Sequence, residues 1–595
     1  MTNPLVDDRL VDFLLHEVHD AEGLARLPAF EDHGKETFDL FLASARRLAR
    51  EVLFPSYRPM DQEPPAFDGK KITTHPGLPP IYRELVELGC VAATRPAESG
   101  GQGLPQLVYT LGSAYLMAGN LGAYCYAGLT AGAAHLIEAF GSDFLDETYR
   151  QPMLEGRYTG TMALTEPQAG SSLGDVATRA TPQPDGTFRI KGSKIFISGG
   201  DHTMAENIVH LLLARIDGAP AGSKGISLFV VPAKRVEDGG LVDNDVTVAG
   251  MIHKIGWKAL PSLALEFGDR DECVGWLCGE PGQGLRAMFQ MMNEARLMVG
   301  VNGAATASVA YHESRQYALV RPQGRRGKVD GPQVPIVEHP DVRRMLLRQK
   351  AIVDGALSLL AETARYADLS EHLPEGEAKD SARLLLDLLT PIAKTFPAEY
   401  GFESNALAVQ IHGGYGYTSE YLPEAFLRDQ KLNSIHEGTT GIQSLDLLGR
   451  KVTAKGGAAV ALLGAEMAKT AKEARALGVE AEDVAIFERA IGVVGSLTAE
   501  LGARGAKGDP DGMLAHAFDY LTAVSILCVA WQHLKLRVAA EKKPAESEER
   551  KRFVEGLRAA ERYWLRTEVP KIDHLAHLCQ SAEDSYLRVA PETFA

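Results

Sequence analysis

Apolar and polar positions follow two different periods along the chain, and the changes of period outline its elements. Residues 7–52 predict two amphipathic helices, because apolar side chains such as Leu10, Phe13 and Leu14 recur at helical spacing. Residues 55–80 are rich in proline and charge, which predicts a connecting loop or a cover over the neighbouring helices.

The middle of the chain changes from a helical to a β-type pattern. Residues 79–156 have helical spacing, and the small residues at 131–134 permit close helix packing. From residue 161 to residue 267, short β-rich runs alternate with Gly, Pro and Asp, which predicts a small β-barrel or sandwich. These runs lie at 187–190, 195–197, 208–214, 226–231 and 263–267.

The second half of the chain returns to helical spacing. One long helix is expected from Leu285 to Tyr317, followed by a Gly/Pro-rich interruption at 322–340 and a further helical block at 455–595. We therefore predict a mostly α-helical fold with a central β-domain and an additional C-terminal helical domain. The expected domains are an N-terminal helical extension and loop (1–78), an N-terminal helical domain (79–160), a β-barrel (161–278), a helical bundle (279–452) and the added helical domain (453–595).

Composition excludes several classes of function. The chain has 595 residues and a net charge of -16, which opposes non-specific nucleic-acid binding through Lys and Arg contacts to phosphate. Its six cysteines form no C-x-x-C pair, which favours a cytoplasmic protein over a disulfide or zinc framework. The longest apolar run, at 521–531, is too short for a transmembrane segment, although contact with a membrane surface stays open.

The first candidate site is the run Met-Ala-Leu-Thr-Glu-Pro-Gln-Ala-Gly-Ser-Ser at 162–172. Hydroxyls and exposed backbone N–H groups beside glycine can bind the edge of a polar heterocycle or a phosphate. An ordinary surface turn is the alternative. The candidate residues are Met162, Leu164, Thr165, Gly170 and Ser171.

A second candidate lies in the predicted strand that ends near Gly199. Phe196 and Ser198 are two residues apart, so in a strand they face the same side. They could stack on one flat ring and hydrogen-bond to it, or they could simply end a hairpin strand.

Two further runs suit a phosphate-containing ligand. Arg321 and Gln323 lie in a cationic loop after the long helix, and guanidinium groups bind pyrophosphate well, although a solvated charge run is an equal alternative. Gln410, Gly413 and Gly414 lie in a glycine-rich run that lets a ligand approach the backbone. No strand is followed by G-x-G-x-x-G, so a dinucleotide would not be held in the Rossmann manner.

A single carboxylate, Glu437, is the candidate for chemistry. It lies in Ile-His-Glu-Gly-Thr-Thr-Gly at 435–441, where His436 is its only titratable close neighbour in sequence. If Glu437 is buried, it loses water without gaining a fixed positive partner, so its pKa should rise toward the range of a general base. An ordinary glutamate at a helix end is the alternative.

The order and spacing of these motifs resemble the acyl-CoA dehydrogenase family from roughly residue 30 to residue 451. Thr-Glu-Pro-x-Ala-Gly-Ser at 165–171 is similar to the family's flavin loop, and Arg-x-Gln at 321–323 is similar to its pyrophosphate contact. The segment 410–437 resembles the family segment that ends at the catalytic Glu-Gly-Thr. The added C-terminal block resembles that of an extended bacterial subgroup.

The resemblance implies α,β-dehydrogenation of an acyl-CoA by an FAD enzyme, with Glu437 as the base and an electron-transferring flavoprotein as electron acceptor. The implied substrate contacts are Ser171, Asn293 and Arg296. The implied FAD contacts are Met162, Leu164, Thr165, Gly170, Ser171, Phe196, Ser198, Arg321, Gln323, Gln410, Gly413, Gly414, Thr439 and Gly441. Residues 321–323 and 410–414 are implied to reach the FAD of a neighbouring subunit. We expect a homodimer, because the added block would cover the surface that shorter members use to form tetramers.

The chain departs from the family pattern at several positions. Phe196 stands where the family often has Trp, Ser198 replaces Thr, and His436 replaces Tyr. Some members carry the base on the long helix, where this chain has Ala295, while the adjacent Glu294 should face elsewhere.

Three rival functions are weaker. A purely structural protein would not need the flavin loop, Arg321 and Glu437 together. An acyl-CoA oxidase usually reads Thr-Glu-x-Gly-His-Gly in the flavin loop, which this chain does not. A DNA-binding flavoprotein of the same family would need a basic C-terminal block. Residues 455–595 carry 19 basic against 21 acidic side chains, net -2.

Overall fold

The computed structural model describes residues 3–327, 330–581 and 583–594, with the side chains of 289–293 outside the described part. The chain divides into two compact units. A mixed unit contains residues 35–104 and 115–295, and a helical unit contains residues 1–34, 105–114 and 296–595. The fold is mostly helical with a central β-sheet, as the sequence predicts.

The mixed unit begins with helices where the sequence predicted a loop. Residues 55–80 contain the helix Phe54–Gln62 and a two-stranded hairpin, Ala66–Phe67 with Ile72–Thr73, so the loop prediction was wrong. Pro55 directly follows the π-helical turn Ala49–Leu53, which joins the helix Lys35–Leu48 to this one without a break. Tyr57 and Met60 are buried, and this burial outweighs the unfavourable Pro59 inside the helix. Longer helices of this region are Lys35–Leu48 and Leu78–Glu87. The helix Gln106–Phe140 is kinked at Asn120, and its residues from 115 onward belong to the mixed unit.

An eight-stranded sheet forms the centre of the mixed unit. Its strands in spatial order are Val246–Ile252, Ser262–Phe267, Phe188–Ser198, Val274–Cys278, Ile226–Pro232, Asn207–Ile216 and Tyr158–Ala163, while Arg179–Pro182 pairs with Phe188–Ser198 and Asn207–Ile216. The five predicted β-runs coincide with strands to within one residue, but the runs 187–190 and 195–197 are parts of the single strand Phe188–Ser198. The sequence missed Tyr158–Ala163, Arg179–Pro182, Val246–Ile252 and Val274–Cys278.

The strand Asn207–Ile216 is apolar at seven of its ten positions because it is buried on both faces. Leu211 and Leu213 pack in one apolar cluster, whereas Leu212 and Ala214 pack in another. Apolar cores on both faces hold this sheet in place. The loop 163–172 begins at the end of its strand Tyr158–Ala163, so the start of the loop is fixed.

The helical unit is built on long helices. The predicted helix from Leu285 to Tyr317 is confirmed as Gly284–Val320, and the predicted Gly/Pro-rich interruption ends where the next helix begins at Pro340. The other helices of this part are Pro340–His372, Glu377–His412, Pro423–Lys431 and Thr440–Asp446.

The C-terminal block is helical and packs on the helix Pro340–His372. Its helices are Ala458–Ala476, Ala481–Ala506, Ala517–Lys542, Glu548–Tyr563 and Lys571–Ser581. The apolar helix Ala517–Lys542 is buried over most of its length. His533 Nε2 donates to the Ala351 carbonyl at 3.0 Å, and a Cβ added at Gly355 would lie 2.5 Å from a methyl group of Val529. This close approach explains a glycine in the middle of a long helix.

In the part of the chain that the structure describes, no helix is both long and apolar enough to cross a membrane.

Candidate active site

Glu437 lies on a tight turn between the helical turn Leu432–Ser434 and the helix Thr440–Asp446. Its backbone φ is +53° and that of Gly438 is +87°, so two successive residues adopt left-handed backbone. For a non-glycine residue this costs of the order of 1 kcal/mol, and such strain concentrates at functional sites. Gln443 holds the turn, because its Nε2 donates to the carbonyls of Glu437 at 3.1 Å and Gly438 at 3.3 Å.

A buried lysine, Lys394 of the helix Glu377–His412, holds the same turn from the other side. Its Nζ donates to the Asn433 carbonyl at 2.7 Å and to the Gly438 carbonyl at 2.9 Å. Burial lowers the pKa of Lys394 to about 8, with the charges of Glu437 and Glu399 acting against this shift. Sequence reasoning did not identify Lys394.

The environment raises the pKa of Glu437 above its ordinary value. Burial is the largest cause, and the positive charges of Arg296 and Lys394 oppose it. The predicted direction is therefore right, but the expectation that no fixed cation lies near Glu437 was wrong. No described group donates a hydrogen bond to the carboxylate, so the two cations act through space.

The neighbouring histidine does not supply a charge. Burial lowers the pKa of His436 to about 4, so the ring is neutral at pH 7. Its Nδ1 donates to the Leu432 carbonyl at 2.8 Å. The ring is thereby fixed against its own turn.

Arg296, a predicted substrate contact, is nearly fully buried and forms an ion pair with Asp446 at 3.0 Å. Asp446 also accepts from Arg450 at 2.6 Å. The other predicted substrate contact on this long helix, Asn293, has its side chain outside the described residues. Glu294 is exposed and its carboxylate lies 3.0 Å from His135 Nδ1, and Ala295 packs in an apolar cluster.

A cavity of about 470 Å³ brings together four of the predicted pyrophosphate residues. They are Arg321, Gln323, Gly413 and Gly414, and Tyr317, Ile336, Ile411, His412, Tyr415 and Thr418 line the rest. Gln410 is exposed and is not among the lining residues. A Cβ added at Gly413 or Gly414 would meet no atom within 4 Å, so both glycines leave open space along the backbone.

Aromatic rings border this cavity and were missed by sequence reasoning. Tyr317 and His412 stack at 4.3 Å, and the Arg321 guanidinium lies 5.4 Å from the centre of the Tyr415 ring. His412 Nδ1 donates to the Ala408 carbonyl at 2.8 Å, while its buried Nε2 has no partner among the described residues. His412 ends the helix Glu377–His412 three residues before Tyr415, and this spacing is the sequence feature that could have indicated an aromatic border.

In the mixed unit, a buried ion pair organises the loop that carries the first motif. Lys194 Nζ donates to Glu166 at 2.8 Å and to the carbonyls of Leu164 and Leu213. Glu166 also accepts from the backbone N–H groups of Ala177 at 2.7 Å and Thr178 at 3.0 Å. Although burial alone would raise it, these contacts hold the pKa of Glu166 at about 2.

The loop presents the predicted residues around this ion pair. Met162 and Leu164 are half-buried against an apolar cluster, Thr165 is half-buried, and Gly170 and Ser171 are exposed. The ion pair therefore fixes the base of the loop and leaves its tip open.

Phe196 lies at a β-bulge with φ of +61°. It is 59% exposed and Ser198 is half-buried, while Ile197 between them is buried. The bulge, which sequence reasoning missed, re-aims the aromatic ring.

The last two predicted contacts, Thr439 and Gly441, follow Glu437 directly. Thr439 caps the helix Thr440–Asp446, because its side chain accepts from the Ile442 N–H at 3.3 Å. Gly441 lies in the first turn of that helix. A positive helix N-terminus thus begins three residues after the carboxylate.

Four family models match successive parts of the chain. The one described as acyl-CoA dehydrogenase, N-terminal domain, matches residues 35–157, the middle domain matches 161–269 and the C-terminal domain matches 282–452. A model described as acetyl-CoA dehydrogenase C-terminal like matches residues 458–590.

Similar proteins span most of the chain. The 3-methylmercaptopropionyl-CoA dehydrogenase of Ruegeria pomeroyi is 38% identical over 502 residues, which cover 83% of this chain and 84% of the relative. The broad-specificity linear acyl-CoA dehydrogenase FadE5 of Mycobacterium tuberculosis is 31% identical over 592 residues, 95% of each chain. An acyl-CoA dehydrogenase structure from Bacillus anthracis, complexed with FAD, has the same fold, with a TM-score of 0.74 and 23% identity, and the match covers 97% of this chain and 93% of that one.

Proposed function

Because the chain belongs to the acyl-CoA dehydrogenase family, we propose that it oxidises an acyl-CoA thioester to the trans-2-enoyl-CoA, with Glu437 as the base. The observation that carries this proposal is a half-buried carboxylate on a strained turn, whose pKa is raised by desolvation. A general base needs a proton affinity above that of an ordinary carboxylate, and burial is a standard way to obtain it.

FAD is the proposed cofactor, and the residues of each unit fit it. The cavity beside Arg321 offers a guanidinium that forms no ion pair within the described ranges, two open glycines and the orphaned His412 Nε2. These groups suit a pyrophosphate and a polar heterocycle. The loop held by Glu166 and Lys194 offers Ser171 and open space at Gly170.

In the proposed reaction, Glu437 takes the α-proton of the thioester. The bound FAD supplies the acceptor for the β-hydride. Charge builds on the thioester oxygen as the proton leaves, and one well-placed donor there contributes about 3–4 kcal/mol. We assign the Glu437 backbone N–H to this role, since it donates no hydrogen bond within the described ranges.

We propose an electron-transferring flavoprotein as the electron acceptor and an acyl-CoA as the substrate, without fixing the chain length. Named relatives act on substrates as different as 3-methylmercaptopropionyl-CoA, butyryl-CoA and linear acyl-CoAs. We place the enzyme in the cytoplasm, because all six cysteines are free and five of them are buried.

We also propose a homodimer. The C-terminal helices pack on Pro340–His372, where Ser358 donates to Gln532 at 2.8 Å and Arg348 pairs with Glu568 at 2.8 Å. A surface covered in this way is not available for packing two dimers together. Light scattering should give two chain masses, and a mass of four chains would contradict the covering argument.

The test is anaerobic bleaching of the flavin by a panel of short, branched, long-chain and 3-methylthiopropionyl-CoA thioesters. At least one thioester should bleach the flavin, and an electron-transferring flavoprotein should reoxidise it faster than oxygen does. Fast reoxidation by oxygen would identify an oxidase instead. A flavin that no thioester reduces would contradict the proposed function.

A further inference from the structure

Lys394 connects the two ends of the turn that carries Glu437. Its acceptors are the carbonyls of Asn433, four residues before Glu437, and of Gly438, the residue after it. A single ammonium group therefore bridges both sides of a residue with left-handed backbone. Shorter or neutral side chains cannot supply a charged donor to both carbonyls.

The charge on Lys394 is as informative as its hydrogen bonds. The side chain is fully buried, yet both of its hydrogen-bond acceptors are neutral carbonyls. Burying an ammonium without a contacting carboxylate is costly. A neutral donor would satisfy two carbonyls at lower cost, so the retained charge points to an electrostatic role.

The other cation near Glu437 is already compensated. Arg296 is paired with Asp446 at 3.0 Å. The carboxylates whose charges act on Lys394 are Glu437 and Glu399, and Glu399 also accepts a hydrogen bond from the Thr440 hydroxyl. Lys394 is therefore the cation whose field falls on Glu437 without a carboxylate bonded to it.

Building on the proposed function, we propose that Lys394 is a positioning residue that fixes the turn of Glu437 and keeps this carboxylate ionised until it accepts the substrate proton. In that step the α-C–H bond breaks, the proton goes to the Glu437 carboxylate, and the electron pair remains on the substrate. Lys394 keeps all of its protons and touches no reacting atom.

The groups that face this pair come from every packed element. They are Arg296 on Gly284–Val320, Glu399 on Glu377–His412, His436 on the turn itself and Asp446 on Thr440–Asp446. His436 is neutral at pH 7, and Arg296 and Asp446 compensate each other. The charge of Arg296 acts on Glu437 at least as strongly as that of Lys394, so removing Lys394 should weaken the positive field at Glu437 without abolishing it.

Two neutral variants separate the charge from the hydrogen bonds. In Lys394→Met both are lost, whereas Lys394→Gln keeps an N–H donor without charge. For both variants we expect the pH profile of anaerobic flavin reduction to move to higher pH by about one unit, because an opposite charge nearby lowers the pKa of a carboxylate by about that much or more. Reduction below this pKa should slow by about tenfold.

Hydrogen exchange provides a readout that needs no activity. Peptides covering 432–440 should exchange faster in Lys394→Met than in the wild-type FAD-loaded enzyme, and Lys394→Gln should lie between them. Lys350→Met is the matched control, since Lys350 is a part-buried lysine of the neighbouring helix, paired with Asp354 at 2.7 Å. It should lower the thermal midpoint but leave the pH profile and these peptides unchanged.

The proposal is overturned if the neutral variants that fold keep the wild-type pH profile, or shift it only as far as Lys350→Met does. Unchanged exchange of residues 432–440 in those variants would overturn the positioning role. If Lys394→Met does not fold, Lys394→Gln carries both measurements. A wild type that no thioester reduces would contradict the proposed function instead, and the exchange measurement would still decide the positioning role.

Discussion

Two carboxylates that each lie near a buried lysine have pKa values shifted in opposite directions, although desolvation acts on both. Glu166, at the base of the loop 163–172, bonds directly to Lys194 at 2.8 Å, and its pKa falls to about 2. Glu437 feels Lys394 only through space, and its pKa is raised. Lys194 donates hydrogen bonds to a carboxylate and two carbonyls, whereas Lys394 donates to carbonyls alone.

A direct hydrogen bond to the cation, rather than the mere presence of a cation nearby, decides the role of each carboxylate. A carboxylate that accepts charge-assisted and backbone hydrogen bonds is locked in its ionised form and stabilises structure. A carboxylate that is desolvated without such bonds stays reactive toward a proton. Glu166 is therefore a structural anchor, and Glu437 is the candidate base.

The largest expected effect is the loss of the structural pair. Glu166→Gln leaves the Lys194 ammonium buried without a counter-charge, and breaking a buried pair typically costs about 3–5 kcal/mol. We expect a lower free energy of unfolding and loss of FAD. Denaturant unfolding checks this, with the double variant Glu166→Gln/Lys194→Met expected to recover part of the loss. A variant as stable as the wild type would show that the pair is not an anchor.

The same change at the candidate base should affect activity instead. Glu437→Gln keeps the shape of the side chain but removes its basicity. We expect FAD to remain bound while flavin reduction by substrate slows by about 100-fold or more, the scale of general-base catalysis. Stopped-flow absorbance of the flavin measures this, and near-normal turnover would exclude Glu437 as the base.

Much of this comparison could be predicted from the sequence, but its central element could not. The motifs around Glu437 and Glu166, the β-runs and the long helix are local patterns, and the structure bears out the elements they predict. The lysines were missed because their partners are remote in sequence, 28 positions for Lys194 with Glu166 and 44 for Lys394 with Gly438. The helix Phe54–Gln62 was missed because prolines suggested a loop, whereas burial of Tyr57 and Met60 determines the structure.

Arg321 extends the comparison, because it is a cation that forms no ion pair with a carboxylate in the described part of the chain. Arg321→Ala removes the guanidinium from the cavity, and hydrogen bonds to charged groups contribute about 1.5–3 kcal/mol. We expect FAD affinity to fall by about tenfold or more, and the dimer to weaken with it if FAD bridges two subunits. FAD content and light scattering measure these effects. Arg325→Ala is the control, because this exposed arginine of the same loop does not line the cavity.

The smallest expected effect is the pH dependence of the Glu166 anchor. Its folded pKa of about 2 lies below its ordinary value of 4.5, so its contribution to stability is present above pH 4.5 and is lost as the pH falls toward 2. The difference in thermal midpoint between wild type and Glu166→Gln should therefore narrow below about pH 4.5. A difference that is constant from pH 7 to pH 3 would contradict the direct ion pair.

The most direct test of the account is the pH dependence of anaerobic flavin reduction by a saturating acyl-CoA. The ionised form of Glu437 is the base, so the rate should rise with pH through an ionisation whose pKa lies above the ordinary 4.5. That ionisation should be absent from the residual rate of Glu437→Gln. If Glu437→Gln shows the same ionisation as the wild type, another group removes the proton and the assignment of Glu437 is wrong.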